Sequence, residues 1–580
     1  MRYLVVTFLL FAGVMFAQSS LEKFTPQLDE VISRAEQGEE LLIWVFFTDK
    51  GNQIQSYFNN PTSVVSEKSL KRRAKVLSEG NLINVRDLPV YQNYIQQTEA
   101  QGLHLKQKTK WFNGVSGWAT KSELVQIADL PFVKQLDIVY RFRKDNEESL
   151  NENPEEQNQN LEKPVGTNSL NYGQSFTQLN QITVPQVHDL GYTGAGVTIC
   201  LMDNGFDRWT THQVFSSMNV IATWDFVDGD ADVENGNVGI GWHGISTLSL
   251  IGGFYEGQLI GPAFGADFIL TRTEDNDSET PIEEDNWIAA MEWADTIGVD
   301  LTSTSLGYLV FDDSVGFNYT WQDMDGNTCR ITNGADYAVS IGIFVANSAG
   351  NNGYNASHNT LNAPADGDSV IAVGSVTSSG SRSSFSSVGP TVDGRIKPDL
   401  MAMGSSDYHA CYTSNNCYGS GSGTSYSCPL LAGASALLLE ADPSLTPMQL
   451  STLLKSTASQ SNNPNNSYGW GIIDTYAALQ SLVTNSEENN KAPEDFYVLQ
   501  NFPNPFNPST KIRFSVPERS HVKLVLYDLL GREIDVLFNE EMNPGTKELE
   551  FNGSRLASGI YLVRMVADNY QKTLKISLLK

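Results

Sequence analysis

A serine hydroxyl becomes a nucleophile when a histidine takes its proton and a carboxylate holds that histidine in one tautomer. Ser425 is the candidate nucleophile. It stands in Tyr418–Leu431 (YGSGSGTSYSCPLL), where Gly419, Gly421 and Gly423 let a second backbone approach closely. Pro429 and the apolar run Leu430–Leu439 then signal a helix, and a serine at a helix N-terminus lies in a field that favours a developing anion. A Gly/Ser linker is the alternative, but a linker would not run straight into an apolar helix. Ser427 occupies the place of the last glycine of G-x-S-x-G, which argues against an α/β-hydrolase esterase. Asp203 closes the apolar run Val197–Met202 inside MDNGF, and a carboxylate ending a buried strand needs a partner such as an imidazole. Taken alone, it reads first as a turn or cap residue. Of 7 histidines, His243 in GWHGISTL is the one in a Gly-flanked turn leading into a helix. A lone histidine is usually structural; the combination points to acyl transfer.

The elements that must position these residues form an α/β pattern over 170–483. Val197–Met202, Phe268–Thr271, Leu301–Leu306, Ile341–Ala346 and Val370–Val373 are short apolar runs of the kind buried on both faces of a parallel sheet. Helix-period segments lie between them, among them Ile282–Ile297 and Thr446–Ala458. The latter carries a Thr446–Gln449 capping box and Pro447 at its first position. Open parallel sheets place their ligands beyond the carboxyl ends of the strands, where the candidate residues fall. Residues 21–145 form a smaller α+β unit, with strands expected at Glu39–Thr48, Val115–Ala119 and Val133–Val139. Helices are expected at Ser66–Ser78 and Ser122–Ala128, each opening on a serine cap. The acidic stretch Asp145–Lys163 is too polar to offset its ordering entropy, and 146–169 reads as a linker. A second linker, 484–496, precedes period-two strands over 497–580 that imply a β-sandwich.

Arg2, the apolar run Leu4–Phe16 and Ala17 read as a signal peptide over 1–17, too short for a permanent span, so no stable membrane insertion is expected. The net charge of −29 is uneven: residues 146–496 hold all of the acidic excess, and the stretches on either side are slightly basic. Such a surface repels nucleic acid and anionic membranes. Of 5 cysteines, Cys411 and Cys417 flank a short loop and either pair or stay free. Cys200 and Cys428 read as buried thiols, and Cys329 is undecided. Asp228–Asp232 and Asp323–Asn327 look calcium-friendly, but Val233 and Thr328 stand where an EF-hand needs glycine, so solvated loops are the better reading.

Asp-x-Gly, His-Gly-x-Ser and Gly-Thr-Ser-x-x-x-Pro, in that chain order, resemble the subtilisin (subtilase) family. So do GYTGAGV at Gly191–Val197, SLG at Ser305–Gly307, AGN at Ala349–Asn351, Pro364 in NAPAD, KPD at Lys397–Asp399 and YGWGIID at Tyr468–Asp474. The resemblance implies a secreted serine endopeptidase, made as a zymogen, with Asp203, His243 and Ser425 as triad. It implies Asn351 and the Ser425 N–H as oxyanion donors, and Ser305, Leu306, Gly307, Ala349 and Gly350 as substrate contacts. Without it, Asn351 reads as a turn residue, since Asn-Asn-Gly favours turns. It implies no cofactor for catalysis and leaves room for structural calcium without locating it. Pocket walls without charge point to a neutral or apolar side chain before the cut, with Asn362 near the floor. Residues 21–145 resemble a subtilase propeptide through WFNGVSGW and LPFVKQLDI. NFPNPFNPST, YDLLG and SGIYL in 497–580 resemble the sorting domain of Bacteroidetes type IX secretion cargo. Protein substrates and the secretion machinery are then the expected partners. An inactive subtilase-like scaffold and a surface adhesin are the alternatives.

Overall fold

A computed structural model describes residues 22–52, 54–139, 169–234, 241–274, 283–307, 319–490, 496–498, 501, 504, 506–568 and 570–578. The expected leader and the stretch Asp145–Lys163 lie outside them. The chain divides into two compact units, Met1–Leu479 and Gln480–Lys580.

The first unit opens with a four-stranded antiparallel sheet. Helix α1 (Pro26–Arg34) is followed by β1 (Glu40–Phe47), α2 (Glu67–Arg73), β2 (His104–Thr109), β3 (Gly114–Thr120), α3 (Lys121–Asp129) and β4 (Val133–Ile138). The strand order is β2-β3-β1-β4. Ser66 caps α2, as its sequence predicts, by accepting from Ser69 N at 3.1 Å. The cap of α3 is Thr120 rather than Ser122, because Glu123 closes a capping box onto Thr120 N at 2.7 Å.

The core sheet has seven parallel strands. In chain order the elements are β5 (Thr198–Asp203), β6 (Asn219–Asp225), α4 (Trp242–Gly252), β7 (Asp267–Arg272), α5 (Glu283–Ile297), β8 (Leu301–Thr304), α6 (Arg330–Ser340), β9 (Phe344–Ser348), β10 (Ile371–Val376) and β11 (Leu400–Met403). A hairpin of β12 (Ser405–Ala410) and β13 (Tyr418–Ser422) leads into α7 (Thr424–Ala441), α8 (Pro447–Thr457) and α9 (Thr475–Asn490). The order β11-β10-β9-β8-β5-β7-β6 reverses direction at β5, so the crevice beyond its carboxyl end is the topological switch point. Every residue of β5 is buried, which explains its unbroken apolar run. Helix α9 continues to Asn490, so the expected linker from 484 begins inside a helix.

The second unit holds β14 (Tyr497–Val498), β15 (Ser509–Val516), β16 (Ser520–Tyr527), β17 (Glu533–Met542), β18 (Gly545–Asn552), β19 (Gly559–Ala567) and β20 (Tyr570–Leu578). Its sheets, β14-β15-β18 and β17-β16-β19-β20, are antiparallel. Phe506, Phe514, Leu524, Phe538, Met565 and Ile576 fill the core between them.

Candidate active site

Three elements deliver the candidate triad residues. Asp203 is the last residue of β5, His243 the second residue of α4 and Ser425 the second residue of α7. Helices α4 and α7 pack against each other, and all three residues are buried. Gly244 is required here: a methyl group on it would meet the Gly205 carbonyl oxygen at 1.8 Å, so no larger residue lets α4 start against the end of β5.

His243 Nδ1 bonds Asp203 Oδ1 at 2.7 Å. The carboxylate accepts, so Nδ1 carries the proton and Nε2 presents its lone pair. Asp203 is fixed in turn by Asn204 N on Oδ1 (2.8 Å) and by Thr247 Oγ1 on Oδ2 (3.0 Å). Thr247 is absent from the sequence reading. It lies four residues after His243 on the same helix face, and that spacing is the signal that finds it. Two aromatic rings stand edge-on to His243: Trp242 at 5.4 Å and Tyr426 at 6.4 Å between centroids.

Ser425 Oγ donates to the Ser305 carbonyl at 3.1 Å, and Ser305 Oγ donates to the Ser425 carbonyl at 2.9 Å. The nucleophile candidate is thereby tied to the segment that follows β8. Helix α7 has no capping side chain of its own, because Gly423 occupies the cap position. Asn351 supplies the cap from the loop after β9: its Oδ1 accepts from Thr424 N and Thr424 Oγ1, each at 2.9 Å. A backbone N–H can only donate, so the oxygen of the amide must face Thr424. Nδ2 therefore points elsewhere. A methyl group on Gly423 would lie 3.7 Å from both Asn351 Nδ2 and Ser425 N, so the two donors border one small space.

Ser305–Gly307 and Ala349–Asn351 form two walls with the Asn362 side chain between them. A methyl on Gly307 would meet Asn362 Cβ at 2.7 Å, and one on Gly350 would meet its Cγ at 3.0 Å. Asn352 Nδ2 holds Asn362 Oδ1 at 2.7 Å. The Ala363–Pro364 peptide beside it is cis. Cys411 and Cys417 form a disulfide across the end of the β12–β13 hairpin, while Cys200, Cys329 and Cys428 are buried free thiols. Burial pushes the Cys428 thiol up to about 12, so it offers no competing thiolate behind the site. Of the calcium-friendly loops, Asp228 pairs with Arg272 (2.8 Å), which also bonds Asp225 (2.7 Å). Asp325 accepts from Asn327 N and Thr328 N in a tight turn.

Strand β12 carries a feature the sequence does not announce. Asp407 is fully buried, and neither of its carboxyl oxygens has a hydrogen-bond partner. Burial holds that carboxyl well above the usual range. His409, two residues on and facing the same way, is pushed down to about 4 by burial, with His243 adding to it. The native Asp407 keeps its proton to a higher pH than the unfolded chain does. Stability therefore falls as pH rises from about 4, the unfolded carboxylate pKa, through the native value. Asp407→Val, measured in a chain kept from self-digestion by Ser425→Ala, is expected to melt higher at pH 8 by the equivalent of about 1–3 kcal/mol. The advantage shrinks at pH 4. A variant that melts lower at pH 8 contradicts this.

Family models match successive stretches of the chain: the subtilase family over residues 194–471, a peptidase S8 propeptide domain of Bacteroidota over 42–160, and a secretion system C-terminal sorting domain over 500–578. Over 311 residues the chain is 33% identical to subtilisin NAT of Bacillus subtilis subsp. natto, spanning 53% of this chain and 72% of that protein. The chain belongs to the subtilase family. The subtilisin of Bacillus pumilus is 32% identical over 303 residues, 52% of this chain and 98% of that one. This subtilase is a serine endopeptidase that acts through a catalytic triad and is made with a propeptide. A Bacteroidota type IX secretion system carries it to the cell surface or beyond, and its substrates are proteins. Subtilases need no cofactor for catalysis. Among the described residues no cluster of three or more His, Cys, Asp or Glu is placed to hold a metal ion. No described helix is long and apolar enough to cross a membrane.

Proposed function

We propose that Asp203, His243 and Ser425 are the triad of this peptidase, and that Asn351 Nδ2 and the Ser425 N–H are its oxyanion donors. The observation that carries the assignment is the 2.7 Å bond from His243 Nδ1 to Asp203, made at the switch point of the sheet beside the first turn of α7. Ser425 Oγ attacks the scissile carbonyl carbon and its proton passes to His243 Nε2. Asp203 stabilises the imidazolium, which then protonates the departing amine. Water repeats the sequence on the acyl-enzyme. The carbonyl oxygen, negative in each tetrahedral intermediate, enters the space beside Gly423 that the two donors border. Asn351 also caps α7, so its amide is oriented before substrate arrives.

The substrate backbone lies along Ser305–Gly307, and the side chain before the cut enters between the two walls onto Asn362. Ser305–Gly307, Phe344–Asn352 and Asn362 bring no charged group, which supports a neutral or apolar side chain there. A randomised peptide library digested by the processed enzyme is expected to show internal cuts after neutral residues. Cleavage confined to Lys and Arg sites would sink that preference.

A further inference from the structure

Of the buried carboxyl groups of helix α5, Asp295 and Glu292 are bonded directly to the N-terminal domain. Asp295 holds Arg72 Nη2 at 2.5 Å and Arg73 Nη2 at 2.7 Å. Glu292 accepts from Thr109 Oγ1 (2.5 Å), Lys110 N (2.8 Å) and Trp111 N (3.0 Å). The first turn of α5 is different. Glu284 accepts from Ile331 N at 3.0 Å and Tyr319 OH at 3.3 Å. Asp285 is 1% exposed, and neither of its oxygens has a hydrogen-bond partner. Trp44 of β1 and Ser116 of β3, cross-strand neighbours in the N-terminal sheet, face it. Trp44 Nε1 and Ser116 Oγ are themselves buried and unpartnered.

The cation that acts on this turn is already committed. Arg330, the first residue of α6, bonds Asp137 Oδ2 of β4 at 2.7 Å and lies 5.4 Å and 4.9 Å from the Trp44 and Phe46 ring centroids. Asp137, Glu284 and Asp285 thus face one guanidinium, with Glu284 and Asp285 buried behind it. Ionising all three leaves negative charge in excess, and at the buried Glu284 and Asp285 water screens it little.

We infer that the seam between propeptide and peptidase is a proton-held latch, in which Asp285 carries a proton while the N-terminal domain covers it and releases that proton when the domain leaves. Burial, with Glu284 adding to it, holds the covered Asp285 carboxyl well above the usual range against the pull of Arg330. Burial raises Glu284 and Glu292 too, the first against Arg330 and the second against Lys110. Asp295 supplies the pH-independent hold: burial opposes its ionisation, but Arg72 and Arg73 outweigh it and keep the carboxyl low. Uncovered, Asp285 meets water and titrates near 4 as an ordinary aspartate. The covered state binds the extra proton, so the domain is held more tightly as pH falls and let go as pH rises. The inference rests on residues 22–139 being the propeptide, and it does not depend on which residues perform catalysis.

The test starts from full-length Ser425→Ala protein, cut once within Asp145–Lys163 by a trace of added protease and repurified as the non-covalent complex. Dissociation on dilution is followed by gel filtration at pH 5, 6, 7 and 8 and constant ionic strength. The dissociation constant is expected to rise with pH, by about tenfold per unit where one proton is exchanged. The Asp285→Asn complex is expected to be the tighter at pH 8 and to show the shallower slope. Asp285→Ser removes the same charge and should flatten the slope alike, so the result does not hang on one variant folding. A constant that is independent of pH or falls as pH rises overturns the inference, as does a slope that neither substitution changes.

Discussion

Replacing Ser425 or His243 by alanine is expected to lower kcat by about a millionfold, with KM little changed. That is the scale on which triad serines and histidines act in this family. All variants are to be freed of the propeptide by an added protease, so that each is compared in the same form. The physical reason is that neither residue works alone. A serine whose proton has no acceptor is a weak nucleophile, and an imidazole with nothing to deprotonate is idle. The Ser425→Ala/His243→Ala double variant is therefore expected to be no slower than either single one. Asp203→Asn should cost about 10⁴, because an amide that donates to Nδ1 forces the wrong tautomer on His243. Losses that multiplied in the double variant would mean that the two residues do not share one step.

Removing the Asn351 side chain is expected to lower kcat by about 10²–10³ with KM nearly unchanged, since its Nδ2 meets charge that exists only after attack. Asn351 also caps α7, so Asn351→Ala alone confounds catalysis with a cap loss worth about 1 kcal/mol. Asn351→Asp separates the two. A carboxylate oxygen still accepts from Thr424 N and Oγ1, but nothing is left to donate to the oxyanion and a like charge faces it. The Asp variant should melt close to the parent and be at least as slow as the Ala variant. An Asp variant with parental kcat would assign Asn351 to the cap alone.

The triad candidates are legible in the sequence because glycines flank them: Gly244 must be glycine for α4 to begin against β5, and Gly423 stands at the start of α7. What orients them is not legible. The Thr247 bond to Asp203, the mutual bonds of Ser305 and Ser425, and the Asn351 cap join segments far apart in the chain, and no local pattern encodes such approaches. Asn351 shows the limit well. Its Asn-Asn-Gly surroundings favour a turn, and the loop does turn there, with φ 107° at Gly350. Its use emerges only when α7 arrives without a cap of its own.

Buried central strands are legible as apolar runs, while β6 and β11 go unread. Both are sheet edges: β6 is largely half-exposed and carries Asn219, Thr223 and Asp225, and β11 spans only Leu400–Met403. A run that short does not distinguish strand from helix. The Gly/Ser-rich segment before Ser425 proves to be strand β13, because β12 pairs with it and a disulfide closes the hairpin. The buried carboxyls of α5 are the deepest omission. Charged residues in a first helical turn read as a solvated cap, and only the domain laid over them turns Asp285 into a group without water.

The most direct test of the assigned nucleophile is labelling of the secreted protein with a fluorophosphonate probe, comparing wild type with Ser425→Ala and recording intact masses. The expected result is one adduct on a trimmed wild type, mapped to Ser425, and none on the variant after matched trimming. A trimmed, folded wild type that stays unlabelled, or a variant that labels equally, would contradict it and leave the inactive scaffold as the better description.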